Sequence, residues 1–263
     1  MADSNILKRC TAELLGTAIL VFVGCGIVVT TLLLIQGIGI PVGNNFNKGI
    51  DISSWLVLSL AFGLPIMVLV YVFGNISGTH INPAISIALW ATKRLPTLDM
   101  LAYLVAQFIG ASVGALGIVA VWGTRAVTIG NLGATTMFPG VSYWQAIIAE
   151  FICTFILMIA VMAMAVDKRA PNGWAGLVIG TAATVSLLLE GNITGGSINP
   201  ARTFGPYLMD TLFGGSNLWW QFPIYLIGPV LGALAAAFLY DYIADTKART
   251  AERIPVAPQA KKV

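Results

Sequence analysis

Asn82 and Asn199 each open an Asn-Pro-Ala triplet inside an apolar stretch. The triplets end two copies of one segment, GNISGTHINPA (74–84) and GNITGGSINPA (191–201), in which eight of eleven positions are identical at an offset of 117. Asn is a strong N-cap, and Pro is favoured at the first helical position because its missing N–H would be unpaired there anyway. Asn82-Pro83-Ala84 and Asn199-Pro200-Ala201 therefore predict two helix starts. A helix start in apolar surroundings places partial positive charge there, and the two side-chain amides add donors. That chemistry suits a neutral solute that accepts hydrogen bonds and repels cations and protons. The glycine-rich approaches, Ser77-Gly78-Thr79-His80 and Thr194-Gly195-Gly196-Ser197, predict non-helical backbone. At membrane depth such backbone is tolerated only when buried in protein or lining a water-filled cavity. The carbonyls of Gly78, Thr79, His80, Gly195 and Ser197 are expected to form a ladder of acceptors along a pore.

Catalytic chemistry finds little support. There is one histidine, and the acids are placed symmetrically rather than clustered. No nucleophile–base pair, metal-ligand set or nucleotide-binding loop is legible, so no enzyme activity, cofactor or metal is expected. Cys10, Cys25 and Cys153 are odd in number and far apart, which predicts free thiols rather than a disulfide framework.

The elements that must position these residues follow from composition. Of 263 residues, 57% are hydrophobic and only 10% charged, with a mean hydropathy of +0.87. Soluble domains carry about 25% charged residues, so the chain reads as an all-α membrane protein embedded in a lipid bilayer. The basic residues form no single patch, and no nucleic-acid partner is expected. Six segments are long enough to span, at roughly 10–35, 55–74, 98–122, 142–166, 173–190 and 219–243. Two shorter segments, 82–92 and 199–209, follow the triplets. About ten helical residues rise about 15 Å, half the hydrocarbon thickness, so these are predicted re-entrant half-helices. The N-terminus lacks the small-residue cleavage pattern of a signal peptide, and the first apolar run reads as a retained span.

Charge supports that topology. Lys8, Arg9, Lys93, Arg94, Lys168, Arg169, Lys247, Arg249, Arg253, Lys261 and Lys262 fall on one side only if 82–92 does not cross. The positive-inside rule makes that side, and both termini, cytoplasmic. Lys48 and Arg125 then face outward, and Arg202 lies within the membrane. The repeat also extends beyond the triplets. AELLGTAIL (12–20) matches AEFICTFIL (149–157), and IGASVGAL (109–116) matches IGPVLGAL (227–234), each with five identities. Gly110/Gly114 and Gly228/Gly232 are GxxxG pairs that allow close helix approach in lipid. Each half holds three spans, an odd number, so the second half is inverted and the two half-helix N-termini meet near the midplane. The expected organisation is a first repeat (1–122, half-helix 82–92), an outer connection (123–141), a second repeat (142–243, half-helix 199–209) and a flexible cytoplasmic tail (244–263).

Two NPA boxes, an AEx(6)L opening in each half and NPARTFGP after the second box resemble the aquaporin (major intrinsic protein) family. The resemblance covers residues 8–243. NLGATTMFPGVSYWQA (131–146) and NPARTFGPYL are most similar to archaeal members of the M type. It implies six spans with two re-entrant half-helices, one pore per subunit and a homotetramer in the cell membrane. It also implies passive passage of water and small uncharged solutes such as glycerol, with exclusion of ions. By position it implies a selectivity filter of Phe62, Leu187, Gly196 and Arg202. Strict water channels of the family carry His where Leu187 stands. Leu187 and Gly196 therefore predict a wider, more apolar constriction. Thr203 stands where glycerol facilitators carry Asp, which argues against a dedicated facilitator. The resemblance assigns Glu13 and Glu150 to holding the half-helix loops rather than to a proton relay. His80 is expected as a positioned loop residue, and Glu190 as a solvated vestibule charge. A glycerol-type facilitator with water secondary is the alternative, followed by a coupled secondary transporter on broken inverted repeats, which the short, glycine-packed halves disfavour.

Overall fold

The computed structural model describes residues 5–36 and 50–244. The tail 245–263 and much of the longer first-half connection, with Lys48 and the five basic residues of the tail, lie outside the described residues. The helices are α1 (Ile6–Ile35), α2 (Ile52–Ser77), α3 (Pro83–Ala91), α4 (Thr97–Trp122), α5 (Thr124–Gly130), α6 (Tyr143–Val161), α7 (Ala175–Thr194), α8 (Pro200–Leu212) and α9 (Phe222–Ala244). Six of them (α1, α2, α4, α6, α7 and α9) are long and apolar enough to cross a membrane.

Local chemistry sets the ends. Asp51 caps α2 through the Ser54 amide, and Ser142 and Gln145 form a capping box on α6. One turn of π-helix, Met162–Val166, prolongs α6, with the Asp167 N–H donating to the Met162 carbonyl. The repeated segment begins inside a helix rather than in a loop. Gly74–Ser77 complete α2 and Gly191–Thr194 complete α7. Gly78 (φ 88°) and Gly195 (φ 78°) then end those helices in the left-handed region, each amide donating to the carbonyl four residues back.

Packing follows the repeat. In the first half α1 lies against α4 and α2; in the second α6 lies against α9 and α7. The two halves meet through α2 and α7. There a Cβ on Gly63 would lie 2.6 Å from the Gly180 carbonyl, and one on Gly180 would lie 2.6 Å from the Gly63 carbonyl. Each half-helix packs chiefly on the last span of the opposite half, α3 on α9 and α8 on α4. The outer surface of the bundle is apolar, with Val68, Val105, Val113, Ile148, Leu189 and Leu231 exposed. That is the distribution expected of helices that face lipid. Trp220 is 59% exposed and fits an interfacial position. Trp219 instead packs into an aromatic cluster with Phe204, Tyr207 and Phe222.

Candidate pore and constriction

Asn82 and Asn199 cap α3 and α8 as their types predict. The Asn82 Oδ1 accepts from the Ala84 amide at 2.9 Å, and the Asn199 Oδ1 accepts from the amides of Ala201 and Arg202 at 3.0 and 3.2 Å. Their Nδ2 groups reach across the molecule. Asn82 donates to the Ile198 carbonyl at 2.7 Å and Asn199 to the Ile81 carbonyl at 2.8 Å. A side-chain amide has two N–H bonds, so one hydrogen of each remains for the cavity that both residues border.

Ile81 (φ 43°) and Ile198 (φ 49°) sit in the left-handed region, where a β-branched residue is an outlier. Each is clamped at both ends of its backbone. The Ile81 amide donates to Glu13 Oε2 at 2.6 Å, and the Ile198 amide donates to Glu150 Oε2 at 2.8 Å. Glu13 also accepts from the His80 amide, the Ser77 hydroxyl and Gln107 Nε2; Glu150 accepts from the Ser197 amide. Both carboxylates are fully buried and each is engaged by backbone N–H groups of a loop. Tyr103 and Tyr225 complete the support by donating to the carbonyls of Ser77 and Thr194, each at 2.8 Å. Gln107 and Tyr103 were not singled out by sequence reasoning, and Tyr225 was not read as a support. A glutamine in an apolar span was the available signal.

A cavity of about 630 Å³ runs from Arg9, Arg94 and Arg169 at one end, past His80, Asn82 and Asn199, to Phe62, Leu187 and Arg202. A second cavity of about 200 Å³, bordered by Trp55 and Phe138, reaches the same three residues from the other side. Phe62, Leu187 and Arg202 thus stand between two open volumes. Gly78, Thr79, His80 and Ser197 border the larger cavity, and Gly195 the smaller. The His80 ring is fixed by Ser86 at 3.0 Å and lies edge-on to Tyr103.

Arg202 is only 2% exposed. Its Nη1 donates to the Gly133 carbonyl at 2.9 Å, and its guanidinium carbon lies 4.4 Å from the Phe62 ring centre. Two glycines make this possible. A Cβ on Gly24 would fall 2.3 Å from the Phe62 ring, and one on Gly133 would strike the Cys25 backbone. Thr203, next in line, joins the Ser197 hydroxyl at 2.7 Å to that of Thr135 at 2.9 Å, tying the outer connection to the loop of the second box. Gly24 lies far from the boxes and nothing local marks it; Gly133 and Thr135 sit in the NLGATTMFPGVSYWQA stretch, which carried the family resemblance but not this contact.

Two expectations need correction. Gly196 opens no space: it is buried, and a Cβ there would meet Leu187 Cδ2 at 2.7 Å, so Leu187 occupies the volume that the glycine vacates. Glu190 is not a vestibule charge. It is fully buried, because α7 continues a further turn to Thr194 and carries the side chain inward.

At the other end of the larger cavity, Arg9 pairs with Asp99, Arg94 with Asp241 and Arg169 with Asp167. The Arg169 guanidinium, with the Tyr240 hydroxyl, holds the Asp167 carboxyl well below the usual carboxylate range.

Residues 1–240 match the profile of the Major intrinsic protein (MIP) family. The chain is 53% identical over 244 residues to the probable aquaporin AqpM of Archaeoglobus fulgidus, covering 91% of this chain and 98% of that one. It is 49% identical over 243 residues to aquaporin AqpM of Methanothermobacter marburgensis, with the same coverage. The X-ray structure of the aquaglyceroporin from Plasmodium falciparum superposes with a TM-score of 0.76 at 24% identity, covering 91% of this chain and 97% of that one, a likeness of fold. The chain is a multi-pass membrane protein that belongs to the major intrinsic protein (aquaporin) family.

Proposed function

We propose that this protein is a passive channel for water and small uncharged solutes such as glycerol, and that it excludes ions and protons. The observation that carries the reading is the barrier of Phe62, Leu187 and Arg202 between two cavities. Behind it the N-termini of α3 and α8 converge on the larger cavity. A fixed guanidinium and two positive helix ends disfavour cations, while the free Asn N–H bonds and the loop carbonyls of Gly78, Thr79, His80, Gly195 and Ser197 serve a neutral solute that both donates and accepts. Phe62 and Leu187 supply an apolar wall, which suits a solute with a carbon backbone. The name aquaporin borne by the relatives supports water as the first solute.

The protein is further read as a homotetramer in the cell membrane, with both termini cytoplasmic by the excess of Lys and Arg on that side. Stopped-flow light scattering of proteoliposomes tests the solute range. Water and glycerol permeabilities should both exceed those of empty liposomes, and flux should rise linearly with the gradient. Flux that saturates, or that requires a sodium or proton gradient, would indicate the coupled-transporter reading. Glycerol permeability exceeding that of water would indicate the facilitator reading, which the apolar Leu187 favours.

A further inference from the structure

The smaller cavity, on the far side of the constriction from the Asn-Pro-Ala boxes, has walls of a different kind from the larger one. Two helix stripes run away from Phe62 and line it. On α1, Val28 and Leu32 continue the row of Gly24, the glycine that faces the Phe62 ring. On α2, Leu58 and Trp55 stand one and two turns before Phe62 on the same face. Phe138 closes the cavity from the connection between the halves.

Two of these groups are held in place. A Cβ on Gly191 would lie 2.6 Å from the Trp55 ring, so that glycine makes room for the indole. The Phe138 amide donates to the Ile193 carbonyl at 3.0 Å, and the Phe138 and Trp55 ring centres are 5.8 Å apart. The polar side chains that border the cavity are turned toward the protein. The Ser59 hydroxyl donates to the Trp55 carbonyl at 2.8 Å, the Thr136 hydroxyl accepts from Gln221 Nε2 at 3.2 Å, and Arg202 Nη1 donates to the Gly133 carbonyl at 2.9 Å. A solute here meets carbon on Val28, Leu32, Trp55, Leu58 and Phe138. A hydroxyl stripped of water against those walls goes unpaired, which is costly, whereas a methyl group is not penalised.

The cavity is continuous with the constriction, since Phe62, Leu187 and Arg202 border both. Leu58 and Phe62 are about 6 Å apart along α2, comparable to the length of a three-carbon chain. A solute of that size keeps its trailing end in the apolar cavity while its leading end passes Arg202. The apolar walls therefore act at the narrowest point of the path as well as before it.

We propose that the smaller cavity is a subsite for the alkyl end of the permeating solute, with Trp55 and Phe138 as specificity-determining residues outside the constriction. The solute class it selects is neutral molecules with one polar and one apolar end, such as short diols, over polyols hydroxylated at both ends. The inference rests on the channel reading above and narrows its solute range.

The test compares propane-1,2-diol with glycerol, whose structures differ by one terminal methyl in place of a hydroxyl. Both permeabilities are measured by stopped-flow light scattering on full-length protein in proteoliposomes, with empty liposomes subtracted and water flux taken on the same vesicles. The unmutated protein should pass the diol about fivefold faster than glycerol, the weight of one unpaired hydroxyl. Val28→Thr and Phe138→Tyr each bring a hydroxyl to the cavity with little change of shape, and each should bring that ratio close to one by raising glycerol flux. Val28→Ala, which alters width without adding a hydroxyl, should keep the preference for the diol. A diol-to-glycerol ratio of one or less in the unmutated protein overturns the proposal. So does an unchanged ratio in both hydroxyl variants, or a loss of preference in Val28→Ala equal to that in Val28→Thr, which would mark an effect of width alone. Unmutated protein that passes neither water nor either solute above empty liposomes would instead sink the channel reading itself.

Discussion

The side-chain amide of Asn199 donates to the carbonyl of Ile81, 118 residues away, at 2.8 Å. Asn82 does the same for Ile198 at 2.7 Å. Each asparagine therefore caps its own half-helix and locks the loop of the other half.

The two caps are unequal, and that difference is testable. Asn199 Oδ1 accepts from two amides and Asn82 Oδ1 from one. Losing a cap costs about 1 kcal/mol, and leaving a buried carbonyl unpaired costs about 1–3 kcal/mol. Both Asn→Ala variants should lower the melting temperature of the purified protein, Asn199→Ala by more. An equal or reversed order would show that the second amide contact carries no weight.

Glu13 and Glu150 lead to a second ordering. Gln in place of either presents an N–H pair where an oxygen met an amide, leaving a buried donor unpaired. Removing one side of such a buried contact costs about 1–3 kcal/mol, more when a charge is involved. Glu13 meets four donors and Glu150 two in the contacts described. Glu13→Gln should therefore be the more damaging, read as folded yield in detergent and resistance to heating. Full water flux from Glu13→Gln at normal expression would contradict the support role of that carboxylate.

Acidification should loosen the start of α2. Hydrogen bonds from the Ser53 hydroxyl, then from the Ser54 amide and hydroxyl, push Asp51 down to about 2 from its ordinary 3.8. A depressed carboxyl contributes stability that is present above the unfolded value and lost as pH falls through the folded one. Hydrogen exchange at the first turn of α2 should therefore quicken between about pH 4 and pH 2. Asp51→Asn keeps an acceptor at the cap but cannot titrate, so its exchange in this window should be flat. A pH response surviving in Asp51→Asn would place its origin elsewhere.

The capped half-helices were legible in the sequence because Asn-Pro capping is local and the repeat supplied an internal control. The six spans were legible because lipid demands long apolar runs. Helix ends were less so: residues 75–77 and Gly191–Thr194 fell outside the expected spans, although Gly78 and Gly195 just beyond them are helix-ending glycines in the left-handed region. The burial of Glu190 follows from that same extra turn of α7. The cross-links Asn82–Ile198 and Thr135–Thr203 join residues more than sixty positions apart, and no spacing rule could pair them. Gly196 misled for a related reason. A missing side chain signals free volume only if no neighbour fills it, and Leu187 does.

Leu187→His tests the apolar wall. A donor and acceptor in place of an isobutyl group should favour water over a solute with a carbon backbone. The glycerol-to-water permeability ratio should fall about tenfold, corresponding to about 1.4 kcal/mol between the two barriers. An unchanged ratio would mean that Leu187 does not set solute choice.

Gly196→Ala tests whether Leu187 and Gly196 act as one unit. The added methyl would lie 2.7 Å from Leu187 Cδ2, and the backbone there has φ 70°, which disfavours any side chain. Left-handed backbone costs an ordinary residue about 1–2 kcal/mol, and the overlap adds to it because Leu187, buried against Phe62 and Arg202 around the passage, has little room to move. The single variant should melt lower and pass less glycerol, since Leu187 can yield only toward the passage. Adding Leu187→Ala removes the overlap but leaves the backbone cost. The double variant should therefore recover glycerol flux beyond that of Gly196→Ala while staying less stable than the unmutated protein. The coupling between the two sites should be about 1–2 kcal/mol, within the range for residues in contact. Strict additivity would mean that the two side chains do not compete for one volume, and that the width of the constriction is fixed by Phe62 and Arg202 alone.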